Sequence, residues 1–261
     1  MQLNYAEYGE SGPPFIILHG LLGAHGNWHT LSRTRFANDA HVYAVDQRNH
    51  GESPHADRFD YDAMAEDMRD FIHQHDLAPV TLLGHSMGGK TAMNTALRFP
   101  DLVDRLIVVD MAPRAYPPHH QPILDALQRI KPADFEDRSA IDNALKQDVP
   151  AFGIRQFLLK NLNYDTSTEQ YRWKMNLPVI ARDYGNVNTE ITSDRSFEKP
   201  ALFVDGATSN YVQDDDMPQI RSLFPQAERV TIDQAGHWVH ADQPDALATA
   251  VEAFMTVPVD T

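Results

Sequence analysis

Between Pro79 and Phe99 the chain runs from an apolar stretch into Gly84 His85 Ser86 Met87 Gly88, then directly into small and apolar residues from Thr91 with helical character. That order predicts a strand, a sharp turn and a helix, the unit from which a layered α/β fold is built. Gly84 and Gly88 carry no Cβ, so the turn between them can hold Ser86 in a strained conformation with its hydroxyl exposed. The same turn sets Ser86 and the Met87 amide at a helix start, where unpaired N–H groups and the helix dipole favour developing negative charge.

The flanking segments extend this pattern. Leu3 to Tyr8 alternates like an edge strand. Phe15 to Leu18, His41 to Val45, Val103 to Val109, Pro200 to Gly206 and Arg229 to Ile232 are short apolar runs of the kind buried on both faces of a parallel sheet. Helices are predicted between them: Trp28 to Phe36 capped by Asn27, one opened by Asp60 or Asp62 with Met64, Met68, Phe71 and Ile72 on one stripe, Met217 to Phe224, and a closing helix from Pro244 through Phe254. The expected fold class is therefore α/β, a mostly parallel sheet with helices on both faces.

From Arg114 the composition changes. Prolines crowd positions 117, 118 and 122, and helical periodicity follows in four stretches: Ile123 to Ile130, Asp137 to Gln147, Phe152 to Leu162, and Glu169 to Asp183 with an interruption at Pro178. The expected organisation is a core of residues 1–113 and 199–261, with an all-helical cap of residues 114–198 inserted between two strands. Such a cap would cover the carboxyl ends of the strands, where open α/β sheets bind ligands.

Composition narrows the function. A net charge of -15 repels phosphates and argues against nucleic acid or an anionic membrane as partner. The absence of cysteine excludes a thiolate nucleophile and Cys-based zinc sites. No basic-then-apolar stretch opens the chain and no apolar run reaches spanning length, so the expected location is the cytoplasm. His19 Gly20 Leu21 Leu22 Gly23 follows an expected central strand; with no Gly-Lys-Ser/Thr after it, it reads as a loop offering the Leu21 N–H to an oxyanion, not as a phosphate loop. Asp46, His50 and His55 match no usual metal spacing, and neither metal nor cofactor is expected.

A serine hydroxyl becomes nucleophilic when an imidazole takes its proton. Among 13 histidines, His237 is the one on a glycine-flanked loop after the last expected strand, Gln234 Ala235 Gly236 His237 Trp238. His19 Gly20, Gly84 to Gly88 and Gly236 His237, in this order and at these separations, make the chain resemble the α/β-hydrolase fold superfamily over almost its full length. The resemblance implies Ser86 as nucleophile, His237 as general base, and the Leu21 and Met87 amides as oxyanion hole.

The acid departs from the commonest pattern of that family, because the matching position after Gly206 is Ser209, which carries no charge. Asp110, at the end of the strand after the Ser86 helix, is the expected acid, with Ser209 an auxiliary polar neighbour. Asp205 is expected to point away and Asp214 lies farther along an acidic run. Val109 to Pro113, Asp46 to Pro54, Gly206 to Ser209 and Arg172 to Leu177 are further similar to the YbfF-type bacterial esterases. That likeness implies a cofactor-free hydrolase of small-molecule carboxylic esters or acyl thioesters, including acyl-CoA, acting through an acyl-enzyme as a monomer or small homo-oligomer. His19, Arg172, Trp173 and Trp238 are candidate substrate contacts. Carbon-carbon bond hydrolysis or a lyase reaction on the same triad is the alternative chemistry, and a ligand-binding module without turnover the alternative class.

Overall fold

The computed structural model describes residues 1–256. Among these, seven strands form one sheet: β1 (Tyr5–Tyr8), β2 (Pro14–Leu18), β3 (His41–Val45), β4 (Val80–His85), β5 (Val103–Val109) and, beyond a two-stranded hairpin of β6 (Leu162–Asp165) and β7 (Gln170–Trp173), β8 (Ala201–Gly206) and β9 (Ala227–Ile232). The order across the sheet is β1-β3-β2-β4-β5-β8-β9, and every pairing is parallel except that of β1 with β3. The helices are α1 (His29–Thr34), α2 (Tyr61–Gln74), α3 (Met87–Arg98), α4 (Gln121–Arg129), α5 (Arg138–Leu145), α6 (Phe152–Leu158), α7 (Leu177–Arg182), α8 (Met217–Leu223), α9 (Val239–Asp242) and α10 (Pro244–Met255).

Strand alternation divides the apolar side chains between two layers. Phe15 and Ile17 pack with Trp28, with Leu31 of α1 and with Leu247 and Val251 of α10. Ile16 and Leu18 face the opposite way, into a larger cluster with Met64 and Met68 of α2 and Met93 and Leu97 of α3. Because both faces are covered, β4 and β8 are buried at every position, and their side chains are apolar except at Thr81, His85 and Asp205 and the glycines. Asp60 is the residue that opens α2, its carboxylate accepting the Ala63 N–H at 2.8 Å. The cap expected at Asn27 falls elsewhere. A single 3-10 turn, His25–Trp28, precedes α1, and Asn27 reaches back to accept the Ala24 N–H at 2.8 Å.

The segment between β5 and β8 is not all-helical. The expected helix from Glu169 to Asp183 is replaced by β7 and the short α7, with Pro178 in the first turn of α7 instead of interrupting a longer helix. Glu169 adopts a positive φ of 56°, which turns the chain so that Tyr164 pairs with Tyr171 and Leu162 with Trp173. A helix cannot pass through such a residue. Among the described residues no helix is long and apolar enough to cross a membrane.

Candidate active site

Strands β4 and β5 are neighbours, and each ends in a non-glycine residue with positive φ: Ser86 at 53° and Asp110 at 51°. Both are clamped by the adjacent ladder, the Ser86 N–H donating to the Val109 carbonyl at 3.0 Å and the Asp110 N–H to the Val204 carbonyl at 2.7 Å. Backbone strain of this kind costs roughly 1–3 kcal/mol per residue and persists only where the surroundings enforce it. At the serine the surroundings are the two glycines. A Cβ on Gly84 would lie 2.0 Å from the Gly88 carbonyl oxygen, and one on Gly88 would lie 2.6 Å from those of Leu18 and His19. The helix can therefore start directly against the strand that feeds it.

The strained turns aim two side chains at a third. The Ser86 hydroxyl lies 3.0 Å from His237 Nε2, and His237 Nδ1 lies 2.6 Å from Asp110 Oδ2. Asp110 is fully buried, which makes its remaining partners decisive. Its Oδ1 accepts the Gly206 N–H at 3.1 Å, and Oδ2 also accepts the Ser209 hydroxyl at 2.5 Å. A buried carboxylate so supplied with donors can stay ionised beside an imidazole. Asp205, the nearer acid in sequence, pairs with Arg229 through both carboxylate oxygens at 2.8 and 3.0 Å, and Asp214 bonds the same guanidinium.

The other two histidines near the motifs act through the backbone. His85 is buried and donates from Nε2 to the His237 carbonyl at 2.8 Å, pinning the loop that carries the imidazole. Burial, reinforced by His240 and His237, holds its pKa well below the ordinary value, so it remains neutral. His19, expected as a substrate contact, is not one. It is buried, its Nε2 accepts the Gln47 N–H at 3.0 Å, and its Nδ1–H is directed to the Gly20 carbonyl at 2.8 Å. Both ring nitrogens are occupied in joining two loops.

Two cavities meet at Ser86, and Leu21, His120 and Tyr211 are common to both. The larger, about 230 Å³, has walls that include Leu22, Trp28, Ile154, Phe157 and Trp238. The smaller, about 30 Å³, lies toward Met87, Met111 and Tyr184. Trp238, expected as a substrate contact, lines the larger cavity. Arg172 and Trp173 do not: both belong to β7, Arg172 facing solvent and Trp173 the apolar cluster, and neither lines either cavity.

Three residues escaped the sequence reading. Tyr211 stacks on the His237 ring with centroids 3.8 Å apart and planes at 18°, so an aromatic face lies against the imidazole. Its loop is held by the Tyr116 hydroxyl, which donates to the Tyr211 carbonyl at 2.5 Å. His120 enters from the insertion, its backbone N–H bonded to the Tyr184 hydroxyl at 2.9 Å, and burial together with His237 lowers its pKa to about 4. Lys90, buried on α3, donates to the carbonyls of Arg114 at 2.7 Å and Thr189 at 2.5 Å, joining the first and last turns of the insertion to the core. The position of Tyr211, two residues after Ser209, is the one available signal; for His120 and Lys90 nothing local marks the contact.

A polar loop completes the frame. Buried Asp46 accepts the His25 N–H at 2.6 Å, His25 Nδ1 at 3.0 Å, Asn4 Nδ2 at 2.8 Å and the Glu52 N–H at 3.0 Å. Burial alone would raise its pKa, but these donors, the His25 side chain foremost, hold it well below the usual carboxylate range. From this loop Asn49 accepts the Asn176 N–H at 2.9 Å, so the frame of the site also anchors the insertion.

The chain is similar to known proteins over nearly its full length. Residues 13–244 match the family model described as alpha/beta hydrolase fold. The chain is 38% identical to the sn-1-specific diacylglycerol lipase ABHD11 of Mus musculus over 93% of its own length and 81% of that protein's. It is 33% identical to Esterase YbfF of Escherichia coli over 98% and 99%. A solved structure titled marine microorganism esterase is 42% identical, with a TM-score of 0.94 over 97% of this chain and 99% of that one. At 23% identity, E-2-(acetamidomethylene)succinate hydrolase, TM-score 0.75 over 98% of this chain and 95% of that one, shares the fold.

Proposed function

The chain belongs to the α/β-hydrolase fold family, and from that premise we propose that it is a serine hydrolase cleaving carboxylic esters or acyl thioesters of apolar acids through an acyl-enzyme. The observation that carries this is the Ser86–His237–Asp110 relay, with contacts of 3.0 and 2.6 Å. In this reading His237 Nε2 takes the Ser86 proton as Oγ attacks the carbonyl carbon. The Leu21 and Met87 N–H groups receive the charge that develops on the carbonyl oxygen, where preorganised donors act most strongly. The tetrahedral intermediate collapses, and His237 passes the proton to the departing alkoxide or thiolate. A water then repeats the attack on the acyl-Ser86 bond, giving up its proton to His237, and the acid leaves with Ser86 restored. Asp110 remains ionised throughout, fixing the Nδ1–H tautomer and balancing the imidazolium. Ser209 holds Asp110 in place.

Residues 114–198 serve in this reading as a lid, since they supply Ile123, Ile154, Phe157 and Leu158 to the cavity beside Ser86. Ester cleavage is supported by relatives named as esterases and lipases; the thioester is an equal chemical substrate for the same attack. A fluorophosphonate probe and p-nitrophenyl butyrate test the proposal together. The protein should label and turn over, and Ser86→Ala should do neither, losing at least about 10³-fold in kcat. Labelling that survives in Ser86→Ala, or wild-type protein that neither labels nor hydrolyses, refutes it.

A further inference from the structure

Outside the cavity at Ser86 lies a larger concavity, about 720 Å³, between α6 of the insertion and the core. The two share a wall made of Asn27, Ile154, Phe157, Trp238 and His240. We propose that this trough is a second substrate subsite, which takes the far end of an unbranched hydrocarbon tail whose ester carbonyl sits at Ser86. The proposal rests on the serine-hydrolase reading and adds the substrate class.

The inner cavity, at about 230 Å³, is smaller than the roughly 300–1,000 Å³ that small-molecule sites occupy. A short tail fills it; a long one must leave it. Among the described residues, the apolar side chains shared by the two, past which it would run, are Ile154, Phe157 and Trp238. The rings of Phe157 and Trp238 have centroids 6.0 Å apart and planes at 44°, so they touch across the boundary. Phe157 is half-buried on α6, and rotation of a partly exposed ring of this kind occurs within nanoseconds. Beyond it the trough offers Leu31, Ala151, Ile154 and Pro244 as apolar surface, with Thr30 and Lys160 among its polar residues.

Gly153 gives a clean test. It lines the trough but not the inner cavity, and a Cβ built on it meets nothing within 4 Å, so larger residues fit without displacing the fold. Gly153→Trp fills the trough, while Gly153→Ala controls for the stiffening of α6. Two ester series are measured: p-nitrophenyl butyrate to dodecanoate, in which the acyl tail grows, and butyl to dodecyl acetate, in which the alcohol tail grows. The long-to-short ratio of kcat/KM should fall at least about tenfold in Gly153→Trp, in the series whose tail uses the trough, and much less in Gly153→Ala. An unchanged ratio in both series overturns the proposal, as does an equal fall for long and short substrates. Calorimetric titration of Ser86→Ala protein with dodecanoate and dodecanol, with and without Gly153→Trp, reads the trough without turnover. Binding that weakens on filling the trough supports the subsite even if no ester is hydrolysed, in which case the hydrolase reading alone fails.

Discussion

Around Asp110 and His237 the side chains are tied to several strand ends: the carboxylate takes donors from Gly206, Ser209 and His237, and the His237 carbonyl is taken by His85. The insertion over them is built more loosely, with the Gln170 and Arg172 side chains in solvent, Phe152 exposed, and a hairpin that pairs only with itself. One buried ion pair braces its helices, Arg155 to Asp142 at 2.9 Å, with Arg155 also donating to the Val149 and Pro150 carbonyls. Where a charge must be held against a moving proton, the fold fixes geometry to within a hydrogen bond. Where a flexible tail is proposed to enter, side chains such as Phe157 are only half-buried. Precision belongs to the strand ends and adaptability to the insertion.

The largest effect should come from the rigid region. If the strand-end carboxylate is the charge that orients the imidazole, Asp110→Asn lowers kcat by about 10³- to 10⁴-fold, the scale found when triad carboxylates lose their charge. Ser209→Ala removes one donor to that carboxylate and should cost roughly tenfold. Both are read from steady-state hydrolysis of one p-nitrophenyl ester, and the reverse ranking would move the acid elsewhere. Ser209 Oγ also accepts the Tyr211 N–H at 3.2 Å, so the Ser209→Ala result includes any loosening of the ring stacked on His237, while Asp110→Asn leaves that hydrogen bond in place.

These strand ends were also the part most readable from sequence. The elbow announces itself because Gly84 and Gly88 are required by approaches no side chain survives, and Asp110 because it closes an apolar run beside the elbow strand. The insertion was read less well. Leu162 to Trp173 carries apolar residues at spacings that suit a helix or a strand, and the turn is decided by a positive φ at Glu169, a residue type that gives no warning of it. With the hairpin unseen, its alternation was unseen too, and so Arg172 was placed on substrate when it faces water. His19 differs for another reason: it stands beside a cavity-lining loop, but both of its ring nitrogens are bonded to the backbone.

A smaller and pH-dependent effect lies at the joint between the two regions. Burial, with the nearby charge of Arg114, lowers the Lys90 pKa from 10.5 to about 7, against a weaker opposing pull from Glu190, and the rings of Tyr61 and Tyr116 lie over the ammonium at 5.8 and 4.8 Å. Between about pH 7 and 10.5 the unfolded chain therefore binds more protons at this residue than the folded one, so its contribution to unfolding free energy rises with pH across that window. Lys90→Met should remove that rise, on the order of 1 kcal/mol per pH unit, in urea melts compared between the two proteins. Parallel pH profiles would mean that the folded lysine holds its proton as firmly as the unfolded one, and the joint would no longer be a place where burial weakens that charge.

The smallest effect is expected where the insertion is loosest. Arg172 stands in solvent on β7, and Lys174, just past the end of that strand, is paired with Glu52 at 2.9 Å. Arg172→Ala should therefore change kcat/KM for a long-chain acyl-CoA by less than about threefold, since a solvated surface charge contributes little. The salt dependence of that reaction should be alike in variant and wild type. A loss of tenfold or more, abolished by raising ionic strength, would show that the hairpin folds over the site during turnover and brings its charge to the substrate. The insertion would then share in recognition with a precision now assigned to the strand ends alone.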